Sequence, residues 1–168
     1  MHTVMALSLD LDDTLWPIWP TIERAELCLH EFLLLHAPKT AERFPIPGMR
    51  HLREHVAQEH PELAHDFTAQ RRISLSHAFR LTGESQDLVD PAFEAFFAAR
   101  NDVTLYQDCL PALEHLAAKL PIIALTNGNA DLQLTGVARF FTECISAKSL
   151  GRAKPETPMF EAASRALG

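Results

Sequence analysis

Val4-Met5-Ala6-Leu7-Ser8-Leu9-Asp10-Leu11-Asp12-Asp13-Thr14-Leu15 is the stretch whose reading decides the fold. Residues 4–9 alternate around an apolar theme and read as a buried strand, which runs straight into three carboxylates. Carboxylates this close repel one another, and burying them is costly unless a cation or a proton compensates. In an open α/β sheet, ligands bind at the carboxyl ends of the strands. The stretch therefore reads as part of a site that holds a divalent metal and handles a negatively charged substrate.

Outward from it, two further strand–helix units are expected. Pro111 suits a helix first turn, and Leu113, Leu116 and Ala117 form an apolar stripe that Pro121 ends. Ile122-Ile123-Ala124-Leu125 then reads as a fully buried strand. A helix over Asp131–Phe141, a short strand at Cys144-Ile145-Ser146 and a final helix from Pro158 complete the pattern. Strands alternating with helices imply a parallel, Rossmann-like α/β sheet. Residues 17–100 differ in character: Ile22, Ala25, Leu29 and Phe32, then Leu75 and Phe79, then Val89, Phe93, Phe96 and Phe97 recur at helical spacing. They read as a helical insertion, or cap, into a core made of residues 1–16 and 101–168.

The 168 residues are 47% hydrophobic, enough for a packed core, and no segment is long and apolar enough to span a membrane. A net charge of −7 without a basic block argues against nucleic acid as a partner. Three cysteines, Cys28, Cys109 and Cys144, form neither a disulfide framework nor a metal motif. Together with an N-terminus unlike a signal peptide, they fit a cytoplasmic protein. His51 and His55 are four apart, but packing or exposure is the favoured reading over metal ligation.

Three motifs in order carry a family resemblance. Asp10-Leu11-Asp12-Asp13-Thr14-Leu15 resembles the DxDxT motif of the haloacid-dehalogenase-like hydrolase superfamily. Leu125-Thr126-Asn127-Gly128 is similar to its second motif, and Gly151-Arg152-Ala153-Lys154-Pro155 to its third. The resemblance covers essentially the whole chain, and it implies a type I helical cap between the first two motifs. It also implies roles. Asp10 would be the nucleophile that forms an aspartyl-phosphate, and Asp12 the acid and base. Asp10 through a side-chain oxygen and Asp12 through its carbonyl would hold Mg2+. Thr126 would offer its hydroxyl and Asn127 its amide to the phosphoryl group, Gly128 would permit close approach, and Lys154 would neutralise charge. True dehalogenases and phosphonate-cleaving relatives lack an acid at the position of Asp12, so the resemblance favours a phosphomonoesterase acting on a small phosphorylated metabolite. The flanking residues look most like bacterial flavin-mononucleotide and riboflavin-precursor phosphatases.

Substrate selection is expected in the helical insertion. Trp16 and Trp19 are candidates for an aromatic wall, although packing is the commoner use of such residues, and Arg71 and Arg72 are candidates to grip a second anionic group. The family's fourth motif, an acidic pair on a further strand, does not follow Ala166-Leu167-Gly168. The expectation is a sheet incomplete at the C-terminus, weak metal affinity, and an exposed apolar edge open to self-association. The alternative to an enzyme is a noncatalytic domain of the same fold that binds a phospho-ligand or a protein partner.

Overall fold

The computed structural model describes residues 4–167. Its chain divides into two compact units, Met1–Ile18 with Asp102–Gly168, and Trp19–Asn101.

The first unit is built on β2 (Ile122–Thr126), in which every residue is buried. Strand β1 (Leu7–Leu9) pairs with it in parallel, with Leu7 opposite Ile122 and Leu9 opposite Ala124. On its other side β3 (Glu143–Ser146) pairs in parallel as well, so the order is β1-β2-β3 and β1 is an edge. Side chains of β2 alternate between faces. Ile123 and Leu125 pack with Ile145, Met159 and Ala163, the last two from α8 (Thr157–Leu167). Ala124 points the other way, into a cluster of Leu11, Leu15, Trp16, Cys109, Leu113, Val137 and Phe140. Cys109 and Leu113 come from α6 (Cys109–Ala117), and a single-turn α7 (Ala147–Leu150) follows β3. Helices thus cover both faces of a parallel sheet, the arrangement that a continuous apolar strand demands.

Two expected elements are shorter than their sequence patterns. Val4 and Met5 lie outside β1 and are 62% and 79% exposed. The pairing starts at Leu7, whose amide donates to the Pro121 carbonyl at 3.0 Å, and β2 begins only after that proline. The helix expected over Asp131–Phe141 is instead a set of turns and a 3-10 helix at Ala138–Phe140. Asp131 Oδ1 captures the amides of Gln133 and Leu134 at 2.7 and 3.1 Å, and Gly136 takes a left-handed φ of 77°, which a continuing helix excludes.

The second unit is helical: α1 (Ile18–His36), α2 (Pro38–Arg43), α3 (Ile46–Glu59), α4 (Phe67–Thr82) and α5 (Val89–Asn101). Leu29 and Leu33 of α1, Leu75 and Phe79 of α4, and Phe93 and Phe96 of α5 form its apolar core. Helix α4 starts where Asp66 accepts from the Ala69 amide at 2.9 Å and stops at Gly83, φ 70°. Among the described residues no helix is long and apolar enough to cross a membrane.

Candidate active site

The acidic loop leaves β1 and folds back on itself. Amides of Thr14 and Leu15 donate to the Leu11 carbonyl at 3.1 and 2.8 Å, and the Asp13 amide donates to the Trp16 carbonyl at 2.8 Å. Asp13 adopts φ 58°, a left-handed conformation that aspartate tolerates better than most residues. Its Oδ1 accepts from the Ile18 amide at 2.8 Å, at the start of α1. The tip therefore both caps a helix and presents the flanking carboxylates.

Asp10 sits at the end of β1, its side chain 43% exposed. Lys154 reaches it from the loop before α8: Nζ lies 2.9 Å from Asp10 Oδ1 and donates to the Leu125 carbonyl at 2.6 Å. The Leu11 amide donates to the same oxygen, Oδ1, at 2.8 Å. Asp10 Oδ2 has no hydrogen bond among the described residues, so one oxygen is pinned and the other is open.

Asn127 fixes the lysine. Its Nδ2 donates to the Lys154 carbonyl at 3.0 Å, and the Lys154 amide donates to its Oδ1 at 2.7 Å. This paired clasp gives the Asn127 side chain a positioning task that the sequence pattern, which pointed only to its backbone amide, does not show. Thr126 is 1% exposed, and its hydroxyl oxygen accepts the Gly128 amide at 2.9 Å, which leaves the hydroxyl proton free to donate. Gly128 donates that amide without a left-handed φ.

Two expected substrate contacts are corrected. Trp16 is fully buried and packs among Leu11, Leu15 and Phe140, so it cannot serve as a wall for a ring. Instead its indole Nε1 donates to Asp12 Oδ1 at 2.9 Å and orients that carboxylate. Arg72, in the helical unit, is not free to grip an anion. Its guanidinium bonds Asp90 and lies 3.5 Å from Glu94 Oε1, and it stacks 4.4 Å from the Phe93 centroid.

Among the described residues no group of three or more His, Cys, Asp or Glu could hold a metal. His55 instead faces Glu59 at 3.3 Å. What the first unit offers a hard cation is the carboxylate of Asp10, whose Oδ2 is open; the Asp12 carbonyl is the second ligand that the family resemblance implies. A single carboxylate suits Mg2+ in kind, since that ion keeps several waters and takes substrate phosphate, and the short ligand list agrees with the weak affinity expected from the sequence.

Comparison with known proteins gives the same frame. A family model described as haloacid dehalogenase-like hydrolase matches residues 4–168. The chain belongs to the haloacid dehalogenase-like hydrolases. It is 32% identical, over 98% of its length and 70% of the relative's, to the 5-amino-6-(5-phospho-D-ribitylamino)uracil phosphatase YigB of Escherichia coli (strain K12). A solved 2-haloacid dehalogenase from Pseudomonas syringae pv. Tomato DC3000 is 34% identical, with a TM-score of 0.90, over 98% of this chain and 73% of that one. A putative hydrolase of the same superfamily from Bacillus subtilis, YfnB, shares the fold at 16% identity and a TM-score of 0.62, over 95% and 72% of the two chains. Asp10, Asp12, Thr126 and Lys154, the residues of the three sequence motifs, all lie in one unit.

Proposed function

We propose that this hydrolase is a magnesium-dependent phosphomonoesterase that acts on a small phosphorylated metabolite through an aspartyl-phosphate. The observation that carries the reading is the asymmetry of Asp10, with Oδ1 held by Lys154 and Oδ2 open. A carboxylate with one fixed and one free oxygen is oriented for attack.

In the first step Asp10 Oδ2 attacks phosphorus as the phosphorus–oxygen bond to the leaving group breaks. Asp12, oriented by Trp16, donates its proton to the departing alkoxide. In the second step water attacks the aspartyl-phosphate, Asp12 takes a proton from that water, and the Asp10 carboxylate is released with inorganic phosphate. Lys154 Nζ and the Thr126 hydroxyl supply a charge and a donor for the phosphoryl oxygens. Mg2+, if held by the Asp10 carboxylate through the oxygen that does not attack and by the Asp12 carbonyl, would supply the positive charge that lets two anions approach.

The likeness to a solved dehalogenase gives a second reading, carbon–halogen cleavage. A departing halide needs no proton, and an acid tethered by an indole would then have no task. The likeness to a phosphatase of a phosphorylated ribitylaminouracil makes phosphorylated sugar alcohols with a heterocycle the first substrates to try. The test is release of phosphate from para-nitrophenyl phosphate, with and without Mg2+, beside release of chloride from L-2-chloropropionate. Magnesium-dependent phosphate release alone supports the reading. Chloride release alone overturns it, and activity on neither substrate favours a domain that binds without turnover.

A further inference from the structure

Around the buried Glu26 the helical unit gathers half-buried positive charge that this carboxylate does not answer. Glu26 is 7% exposed, and Arg50 takes both its oxygens, Oε1 from Nε at 3.3 Å and Oε2 from Nη2 at 2.5 Å. Arg71 enters from α4 with its guanidinium 3.5 Å from the centroid of the Phe96 ring. Among the described residues no carboxylate forms an ion pair with it. Burial, then the nearby Arg53, push its pKa down to about 9; Glu26 opposes this and Arg100 adds to it. An arginine so placed stays charged at neutral pH.

Four side-chain polar atoms described in this unit are buried without a hydrogen bond, Arg24 Nε, His30 Nδ1, Arg53 Nε and Arg100 Nη1, although Arg24 and Arg100 have partners through other atoms. His30 and Arg71 line one hollow with Glu26, Arg50 and Met49. Its inner space is about 10 Å³, near what one water-sized atom needs, and with its open mouth it measures about 260 Å³. A trapped water would satisfy His30 Nδ1 but leave the excess of cations untouched. A negatively charged oxygen answers both.

We propose that this hollow is an anion site, in which Arg71 and His30 Nδ1–H together hold one oxygen of a phosphoryl or carboxylate group and the remainder of the group occupies the mouth. The guanidinium gives the charge, the Phe96 face limits its orientation, and the neighbouring Arg53 deepens the positive potential. The site lies wholly within the helical unit and does not depend on the hydrolase reading.

The test is the thermal midpoint of the whole chain in rising inorganic phosphate or acetate, with chloride at matched ionic strength as the screening control. A Lys154→Met background removes the cation of the acidic site, so phosphate bound there does not confuse the readout. A saturable rise of about 5 °C is expected with the oxyanions and not with chloride. It should vanish in Arg71→Met and persist in Arg71→Lys. If Arg71→Met does not fold, His30→Gln should weaken the response by about tenfold in the half-saturating concentration. Glycerol phosphate beside inorganic phosphate tells a monoester from the free ion as the better occupant. An equal rise in Arg71→Met, an equal rise with chloride, or no rise at all overturns the proposal.

Discussion

The two units of this chain hold their charges in opposite ways. In the sheet unit the acidic loop is answered group by group: Lys154 and the Leu11 amide for Asp10, the Trp16 indole for Asp12, the Ile18 amide for Asp13. In the helical unit Glu26 is already taken by Arg50, and Arg71 rests on an aromatic face without a carboxylate. Loops at strand ends can bring a lysine and an aspartate from distant parts of the chain to one point, because the sheet register fixes both ends. Packed helices set side chains by the requirements of the apolar core, and a cation carried inside is matched only if a partner happens to share the level.

Substitutions can break or sharpen that contrast. Asp10→Asn should have the largest effect, a loss of turnover of at least about a thousandfold, because the open oxygen no longer belongs to a carboxylate. Steady-state release of para-nitrophenol checks it, and unchanged turnover would separate the matched charges from the chemistry. Lys154→Met should cost about 100-fold in kcat, since one preorganised donor at developing charge is worth that much. Lys154→Arg should restore little, because a planar fork does not fill the place of an ammonium that reaches both Asp10 and the Leu125 carbonyl.

Asn127→Ala comes next. It removes both bonds that clasp the Lys154 backbone, so kcat should fall about tenfold and urea denaturation should show a loss of about 1–3 kcal/mol. Trp16→Phe keeps the apolar packing and deletes only the bond to Asp12 Oδ1, so kcat should fall by about threefold to tenfold with KM nearly constant. The smallest effect belongs to Arg72→Ala. Its ion pairs join side chains 37%, 73% and 64% exposed, and their loss should cost at most about 1 kcal/mol, with KM unchanged. A large rise in KM would return Arg72 to the substrate contacts.

How much of this was legible in sequence follows the same division. The run Ile122–Leu125 announces β2 because a strand covered on both faces has no polar side to show. The Asp10 and Lys154 pair is legible because each sits in a motif whose spacing is local, even though their contact is not. Asn127 is different. Its partner is the backbone of Lys154, and no local pattern reveals a clasp across 27 positions. Trp16 stands among prolines and reads as wall or, more commonly, packing; the closure of the loop onto Val137, Phe140 and Leu113 decides for packing. Arg72 shows the limit for helices, since periodicity fixes its face but not the arrival of Asp90 and Glu94 on a neighbouring helix. The expected helix at Asp131 fails for a local reason that was readable, an aspartate able to close a turn followed by Gly136.

The central claim is that Asp10 is the covalent nucleophile, and a rapid-quench experiment tests it most directly. The chain is mixed with Mg2+ and a phosphomonoester, stopped in acid during turnover, digested, and its peptides weighed. The account predicts a base-labile phosphoryl adduct on the peptide that contains Asp10, absent in Asp10→Asn. Turnover without that adduct, or with the adduct on another residue, would contradict it.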